Sequence, residues 1–435
     1  GISNRPLIPL FADLDAKVTV CDKNESIDRE TLSGGREIQF RLGEDYLSLS
    51  GFDYIFKSPG MRYDLPELVE ARKNGSIVTS EMEVFMDLCE AQVIGVTGSD
   101  GKTTTTTLIY KILSEQGYRC WLGGNIGTPL LSKIEQIMPE DKVVLELSSF
   151  QLQTMTKSPQ IAVVTNLSPN HLDMHKSYEE YIEAKKHIFW YQQPGDRLVL
   201  NLDNSVTRSF DGQAKGEVCG FSRKERVGHG VYYENGSLIS TLGDKDIVVL
   251  KKDDIVIPGD HNIENYMAAI AAVGDHVTAD EIAAVARSFG GVEHRIEFVR
   301  EVAGVRYIND SKGTNPDSTI KAVLAMDRPT VLMLGVGNYD KHSDFKPLFQ
   351  AFGGRVKAVL ASGCNIPAIQ KAAVETGFDA FYTYEGKDFE GMIRRAGQLA
   401  APGDTVLLSP AAASWGQFDN YEQRGDMFKA IVNQL

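Results

Sequence analysis

Residues 93–104 have the sequence Val93-Ile94-Gly95-Val96-Thr97-Gly98-Ser99-Asp100-Gly101-Lys102-Thr103-Thr104. An apolar run enters a glycine-rich turn, which predicts a strand, a tight loop and a helix. Backbone N–H groups of such a loop and the positive end of the helix dipole bind polyphosphate. The strict pattern G-x-x-x-x-G-K-[ST] requires glycine where this chain has Val96. The segment still predicts nucleotide binding, with Lys102 on the β/γ-phosphates and the Thr103 hydroxyl on Mg²⁺.

The composition is that of a globular protein with several domains. The chain has 435 residues, of which 42% are hydrophobic and 24% charged, and its formal net charge is −14 at pH 7. Phosphate backbones are bound by clustered Lys and Arg, and no basic stripe is visible. We therefore expect no nucleic-acid partner, and any anionic substrate must meet local positive groups.

The cysteines predict a cytoplasmic protein. They are five in number, widely scattered and without C-x-x-C spacing, as expected for reduced thiols. No apolar run approaches the roughly 18–20 residues of a membrane span, and the first residues lack the features of a signal peptide. We expect no membrane partner.

Strand-like apolar runs alternate with helical patterns, which is typical of parallel α/β units. We predict three α/β domains, over residues 1–82, 83–290 and 291–435. The central one should combine a parallel sheet with a smaller antiparallel sheet, because Asn235-Gly236 within 231–257 is a hairpin signal. Residues 1–6 look like the turn that follows a strand, but the given sequence contains no strand before them. We therefore expect that the first strand of this domain is missing from it.

Asp22 is a candidate nucleotide ligand in the first domain. It ends a predicted strand, 16–21, and lies about 20 positions after the strand-to-helix turn, where an acidic side chain commonly binds a ribose hydroxyl. The alternative is a solvated strand end.

Glu146 is a candidate metal ligand in the central domain. It follows the buried-strand run 143–145, and a carboxylate there is costly without a cation or hydrogen-bond donors. Mg²⁺ opposite the phosphate loop would be such a cation. The alternative is an exposed strand end.

His171 and Lys185 are candidates for a second metal site. His171 lies on the loop after a predicted strand, 161–165. The predicted helix 178–189 places Lys185 on its apolar face. Burial lowers the pKa of an amine, and neutral lysine can take up CO₂ to form a carbamate, an anionic Mg²⁺ ligand. The alternatives are a structural histidine and a lysine that extends past the tyrosines to solvent.

Further polar positions follow in the sequence. Asn262 and Asn265 share one face of a predicted helix and could read an adenine edge, although asparagine is equally a capping residue.

In the last domain, three of the four predicted strands are followed by polar loops. These strands are 305–308, 330–334 and 405–408, and their loops are 309–316, 335–341 and 409–414. The fourth predicted strand, 356–361, has no such loop. Ligands bind beyond the carboxyl ends of parallel strands. Together these loops predict a site for an anionic small molecule.

Taken in order, these residues resemble the Mur ligase family over the whole of residues 1–435. The phosphate loop, Glu146, His171, Lys185 and Arg295 are shared by the wider family. The segments 146–152, 309–315 and 409–414 are similar to those of the branch that adds D-glutamate to UDP-N-acetylmuramoyl-L-alanine. The Asp-Asn-Pro-Arg pattern of the branch that adds diaminopimelate or lysine is missing.

The resemblance implies a Rossmann-like UDP-sugar domain, a central P-loop ATPase domain and a Rossmann-like C-terminal domain for the amino acid. It implies ATP and two Mg²⁺ ions as cofactors, with one ion near Thr103 and Glu146 and the other near His171 and a carbamylated Lys185. It also implies amide ligation through an acyl phosphate, in cytoplasmic peptidoglycan precursor synthesis that serves cell shape and division. We expect a monomer.

The resemblance assigns the remaining roles residue by residue. Catalysis would involve Lys102, Glu146, His171 and Lys185. ATP would be bound by Gly98, Ser99, Asp100, Gly101, Lys102, Thr103, Thr104, Asn262, Asn265, Arg295 and Asp310. The UDP-sugar would contact Ile2, Ser3, Asp22, Gly60, Asn125 and His171, and D-glutamate would contact Lys312, Thr314, Lys341, Ser414 and Tyr421.

The sequence departs from the family at two positions. The family often has cysteine where Ala412 stands and phenylalanine where Tyr421 stands. Three other readings stay open: a sister amide ligase such as folylpolyglutamate synthetase or another Mur ligase, a nicotinamide-dependent enzyme, and a nucleotide switch that makes no amide.

Overall fold

The computed structural model describes residues 4–127, 129–169, 175–339, 343–385 and 388–435. The chain forms two compact units. Unit 1 comprises Gly1–Lys252 and Ile263–Val285, and unit 2 comprises Asp253–Asn262 and Ala286–Leu435. The three domain boundaries expected from the sequence stay a prediction.

The N-terminal part of unit 1 contains short parallel strand pairs. β1 pairs with β2 and β3 pairs with β4, both in parallel. The elements in chain order are α1 (Leu7–Ala12), β1 (Thr19–Asp22), α2 (Arg29–Ser33), β2 (Gln39–Leu42), β3 (Tyr54–Phe56), α3 (Pro66–Lys73), β4 (Ile77–Thr79) and α4 (Glu81–Leu88).

The rest of unit 1 is built on one large sheet. Its elements are β5 (Gln92–Thr97), α5 (Lys102–Glu115), β6 (Cys120–Gly124), β7 (Lys142–Glu146), α6 (Ser149–Leu152), β8 (Ile161–Val164), α7 (Tyr178–Trp190), β9 (Arg197–Asn201), α8 (Ser205–Arg208), β10 (Glu217–Ser222), β11 (Gly230–Glu234), β12 (Ser237–Ser240), β13 (Ile247–Lys251), α9 (His261–Val273) and α10 (Ala279–Ser288). Helices α9 and α10 lie for most of their length in this unit.

This sheet has nine strands in the order β13-β12-β11-β10-β9-β8-β5-β7-β6. The strands from β6 to β11 pair in parallel, while β11–β12 and β12–β13 are antiparallel. Asn235 and Gly236 both have positive φ, 49° and 77°, as a two-residue hairpin requires. The expected antiparallel part is therefore present, and hydrogen bonds join it to the edge of the parallel sheet.

Unit 2 is a second α/β layer structure. Its elements are β14 (Glu297–Val302), β15 (Val305–Asn309), α11 (Pro316–Leu324), β16 (Thr330–Leu334), α12 (Lys346–Gln350), β17 (Val356–Ala361), α13 (Ile366–Thr376), β18 (Phe381–Thr383), α14 (Phe389–Leu399), β19 (Thr405–Leu408) and α15 (Tyr421–Val432). Apolar clusters cover both faces of the sheet, because alternate residues of β16 and β19 belong to different clusters.

The strand order in unit 2 is β14-β15-β19-β16-β17-β18, with β14 antiparallel at the edge. Hence β15, β19 and β16, the strands followed by the polar loops, are direct neighbours. Pro316 begins α11, and Asn315 caps it by accepting a hydrogen bond from Ser318 N. The loops after these strands start from one edge of the sheet.

Candidate functional site

The loop between β5 and α5 has the backbone of a phosphate loop. Gly98 and Gly101 have φ of 152° and 78°, values that side chains disfavour. A Cβ at Gly98 would overlap Thr165 Oγ1, and one at Gly101 would overlap Asn265 Oδ1. Both glycines are therefore required by close packing as well as by backbone conformation.

Neighbouring segments hold this loop in place. Asn166 accepts hydrogen bonds from Ser99 N at 2.8 Å and from Asp100 N at 3.0 Å. Ser99 Oγ lies 3.0 Å from Ser168 O and 3.0 Å from Tyr181 Oη. The loop is thus preorganised.

Lys102, the first residue of α5, reaches back over the loop. Its Nζ donates to Gly98 O and to Ser99 O, both at 3.0 Å. Thr103 is buried and Thr104 is half-buried. The ammonium group and the Thr103 hydroxyl are therefore at the start of the helix, where an anion would be bound.

Glu146 ends β7 with its carboxylate almost fully buried, at 2% exposure. Asn125 Nδ2 donates to Oε1 at 2.8 Å, whereas no described residue donates a hydrogen bond to Oε2. A buried carboxylate oxygen without a donor is costly. A divalent cation would satisfy this oxygen, so the burial of Glu146 and its unpaired Oε2 fit a metal ligand. Because the side chain is buried, the alternative of an exposed strand end is wrong.

Lys185 lies on the buried face of α7, as the helix register predicts, with 2% exposure. The alternative of a lysine extending to solvent is wrong. Its Nζ donates to Thr97 Oγ1 and to Gly98 O, both at 2.9 Å. Burial holds its pKa well below the usual value, and the positive charge of Lys102 lowers it further, against an opposing contribution from Glu146. Burial and the charge of Lys102 therefore both favour the neutral form of this amine beside the phosphate loop.

The N-terminal part of unit 1 contains a cavity of about 490 Å³ that is lined by β1, by β3 and by the residues that follow them. Asp22 lines it, and Asp22 Oδ1 accepts a hydrogen bond from Asn24 N at 2.9 Å. The predicted contact Gly60 is not among the lining residues, although Ser58 and Met61 are. Ile2 and Ser3 lie outside the described residues.

Lys57 also lines this cavity and was not predicted from the sequence. It is buried, and its Nζ donates to Met61 O and Phe150 O, both at 3.3 Å. Burial lowers its pKa to about 8. Its position directly after β3 was a signal, because polar residues at strand ends line ligand clefts.

Asn265 contacts the helix of the phosphate loop. Its Oδ1 accepts a hydrogen bond from Thr105 Oγ1 at 3.2 Å. Asn262, which belongs to unit 2, donates from Nδ2 to Pro258 O at 2.6 Å. Both side chains are buried. The expected role of each as an ATP contact stays a prediction.

Arg424 ties together the polar loops of unit 2. Its guanidinium is fully buried, at 0% exposure. It donates to Ser311 O at 2.8 Å and Ser311 Oγ at 2.9 Å, to Val336 O at 2.6 Å and to Ala412 O at 3.3 Å. These acceptors lie after β15, β16 and β19, so one side chain fixes three loops.

The spacing of apolar residues on α15 indicates that Arg424 is buried. Arg424, Phe428 and Val432 are spaced by four residues on α15, and all three are fully buried. An arginine in register with apolar residues faces inward.

Asp310 is the buried carboxylate of this cluster. Ser409 Oγ donates to Oδ2 at 2.6 Å and Ile296 N donates to Oδ1 at 3.2 Å. Burial raises its pKa to about 7, although the Ser409 hydrogen bond and the charges of Arg295 and Arg424 oppose this. An acidic group that titrates near neutrality is a functional-site candidate.

Arg295 is exposed, and the residues on both sides of it have unusual backbone conformations. His294 and Ile296 have φ of 61° and 46°, which is uncommon for residues other than glycine. Such strain is typical of functional segments.

The residues expected to bind D-glutamate are only partly brought together. Lys312 Nζ lies 5.7 Å from the centre of the Tyr421 ring. Burial raises the pKa of Tyr421 to about 12. Thr314 N donates to Lys312 O at 2.9 Å, and Ser414 is buried. Lys341 and, in unit 1, His171 lie outside the described residues.

Within the ranges that the structure describes, every helix is too short or too polar to cross a lipid bilayer.

Comparisons with known proteins agree with this architecture. The Mur ligase middle domain matches residues 96–273, and the Mur ligase, glutamate ligase domain matches residues 294–412. The UDP-N-acetylmuramoylalanine--D-glutamate ligase of Acetivibrio thermocellus is 50% identical, covering 100% of this chain and 95% of the relative. The enzyme of the same name from Ruminiclostridium cellulolyticum is 48% identical with the same coverage.

Solved structures share the fold. MurF from Acinetobacter baumannii matches with a TM-score of 0.61 at 15% identity, covering 97% of this chain and 92% of that chain. MurF ligase from Thermotoga maritima in complex with ADP matches with a TM-score of 0.55 at 18% identity, covering 89% and 99%. The full-length similarity to the D-glutamate ligases is the decisive finding, and the chain belongs to the Mur ligase family.

Proposed function

We propose that the protein is an ATP-dependent ligase that joins the amine of D-glutamate to the alanyl carboxylate of UDP-N-acetylmuramoyl-L-alanine. The observation that carries this proposal is the 50% identity, over the whole chain, to a ligase named for that reaction. The phosphate loop and the buried Glu146 fit the first half of such a reaction.

ATP would be held first by unit 1. Backbone N–H groups of the loop would bind its phosphates, and Lys102 would exchange the carbonyls of Gly98 and Ser99 for phosphate oxygens. Asn262, Asn265, Arg295 and Asp310 would bind the rest of the nucleotide.

Two Mg²⁺ ions would complete the site, and they would supply positive charge that stabilises the phosphoryl oxygens during transfer. Thr103 and Glu146 would hold one ion, and the partnerless Oε2 of Glu146 supports this assignment. His171 and a carbamylated Lys185 would hold the other. The buried amine of Lys185, with its lowered pKa, is a suitable group for CO₂ uptake.

The reaction would run in two displacements. A carboxylate oxygen of the alanyl group attacks the γ-phosphorus, ADP leaves, and an acyl phosphate remains. The D-glutamate nitrogen then attacks the acyl carbon, phosphate leaves with the C–O bonding pair, and the nitrogen loses a proton to solvent. The residues of the site would act by positioning and by neutralising charge, which account for most of the rate of phosphoryl transfer.

The substrates would occupy different parts of the chain. The cavity lined by Asp22 and Lys57 has a size suited to a nucleotide moiety, and Asn125 would contact the muramoyl part. Lys312 and Tyr421, with Thr314, Lys341 and Ser414, would bind D-glutamate. We further propose a cytoplasmic monomer that binds neither nucleic acid nor membranes.

The test is phosphate release from ATP with UDP-N-acetylmuramoyl-L-alanine, compared across D-glutamate, L-glutamate, L-lysine and diaminopimelate. We expect sustained release, and a product of the amide's mass, with D-glutamate alone. Lys102→Ala should abolish both while leaving the circular dichroism spectrum unchanged. Lys111→Ala, on an exposed position of the same helix, is the matched control. Release with lysine or diaminopimelate instead, or none at all, would refute the proposal.

A further inference from the structure

Three side chains with different metal-binding atoms lie together outside the phosphate-loop site. Glu217 and Cys219 are on β10, and His229 directly precedes β11. The carboxylate oxygen, the sulfur and the imidazole nitrogen all lie within 4.8 Å of one another. None of these residues takes part in the proposed ligation.

The strand register explains why they meet. Gly220 pairs with Gly230 in parallel, and Gly220 N donates to His229 O at 2.9 Å. A Cβ at Gly230 would overlap Gly220 O, so glycine is needed for this close approach. Cys219 therefore lies beside His229, and Glu217 shares the face of Cys219 because side chains alternate along a strand.

The cluster is open on one side and closed on the other. Cys219 is fully buried, whereas the side chains of Glu217 and His229 are 46% and 39% exposed. His229 Nε2 lies 2.8 Å from Glu217 Oε1. Arg197 Nε binds the other oxygen, Oε2, at 3.1 Å. Arg197 thus orients the carboxylate and leaves Oε1 turned towards the imidazole.

Sulfur, nitrogen and oxygen donors form a ligand set for zinc-like ions. Zn²⁺ binds cysteine sulfur at about 2.3 Å, and histidine nitrogen and carboxylate oxygen at about 2.0–2.2 Å. Neighbouring ligand atoms around such an ion are therefore roughly 3–4 Å apart, and the three donor atoms here lie within 4.8 Å of one another. Mg²⁺ prefers oxygen ligands alone.

We propose that Glu217, Cys219 and His229 bind one zinc-like divalent ion, with water in the remaining coordination position. The Cys219 thiol would lose its proton to solvent, because the thiolate is the ligand form. The ion would link the start of β11 to β10 and so stabilise the parallel pairing of these two strands, where the antiparallel part of the large sheet begins.

The test is a Co²⁺ titration of the full-length protein after EDTA treatment and dialysis, in excess Mg²⁺. Co²⁺ bound to a thiolate gives a charge-transfer absorption that oxygen-ligated Co²⁺ lacks. We expect this band to saturate at one ion per chain and to disappear on adding one equivalent of Zn²⁺. Cys219→Ser should lose it, while Cys364→Ser, at an exposed cysteine of unit 2, should keep it.

Because Cys219 is buried, His229→Gln provides an independent variant at a half-exposed position. Changes in groups that only orient metal ligands cost about 10–100-fold in affinity, so loss of the imidazole should weaken Co²⁺ binding at least about 100-fold. The proposal is overturned if the wild-type protein shows no thiolate band. A band retained in Cys219→Ser, or an unchanged affinity in His229→Gln, overturns it equally.

Discussion

Replacing Arg424 by leucine should loosen the three polar loops of unit 2 at once. The guanidinium donates to four acceptors: Ser311 O, Ser311 Oγ, Val336 O and Ala412 O. Burial lowers its pKa to about 9, so it stays protonated at neutral pH. Leucine would fill part of the space and leave all four acceptors without this donor.

The expected cost follows from those acceptors. A buried group left without its partner costs about 1–3 kcal/mol. Ser311 Oγ keeps its hydrogen bond to Tyr421 O at 2.8 Å, so the count rests on the three backbone carbonyls. Taking the lower end, because loops relax and admit water, three carbonyls give a loss of about 3 kcal/mol. Arg424→Lys should lose less stability, since it keeps the charge but cannot reproduce the planar fork.

The assay is urea unfolding followed by tryptophan fluorescence. Unit 2 contains one tryptophan, Trp415, so a Trp121→Phe, Trp190→Phe background reports on this unit. The KM for D-glutamate should rise together with the loss of stability, because the loops that carry Lys312 and Ser414 are held by this side chain. Arg394→Leu is the matched control.

Arg394 is half-exposed and pairs with Glu390 on the same helix, so its loss should cost no more than about 0.5 kcal/mol. If Arg424→Leu destabilises unit 2 no more than this control and leaves the KM for D-glutamate unchanged, the argument that Arg424 holds the loops together is wrong.

Three further predictions concern the charged groups of the two units. Lys185→Ala should be nearly inactive, and small carboxylic acids should partly restore phosphate release by taking the place of the carbamate; normal activity of the variant would return Lys185 to a structural role. Lys312→Ala should raise the KM for D-glutamate more than the KM for ATP, because a carboxylate in a cleft needs a fixed cation; the reverse order would assign this lysine to the nucleotide. Burial raises the pKa of Asp310 from 3.8 to about 7, so the stability that its protonated form provides is complete below the lower value and is lost as the pH rises through about 7. Asp310→Asn should make the unfolding midpoint depend less on pH between about pH 4 and pH 8. If the midpoint of this variant changes with pH as steeply as that of the wild-type protein, Asp310 is not the source of the pH dependence.

Local features were predictable where a short pattern determines them. The helix 178–189 was predicted from its apolar period, and the structure has it over Tyr178–Trp190 with Lys185 inward. Strands 330–334 and 356–361 have the predicted bounds. The hairpin at Asn235 followed from the turn residues, because positive φ is needed at both central positions.

Long-range features were not predictable in the same way. Nothing in the sequence of β19 shows that it inserts between β15 and β16, since strand order depends on pairing between distant segments. The edge strand β14 was missed for the same reason. The partners of Arg424 are mostly backbone carbonyls, which leave no trace in the sequence. Lys57 had a sequence signal in its position after β3, but the cavity that it lines is formed by segments distant in the sequence.

Two buried basic side chains have the same sequence signal but different roles. Lys185 and Arg424 each stand in the apolar register of a helix, and both are almost completely buried. Arg424 is surrounded by acceptors, and its guanidinium keeps its proton, so it serves as a fixed structural donor. Lys185 has two acceptors and a second cation, Lys102, nearby, and its pKa falls well below the usual value. An amine that burial and a neighbouring charge drive towards the neutral form is chemically reactive, which is why Lys185 rather than Arg424 is the candidate for covalent modification.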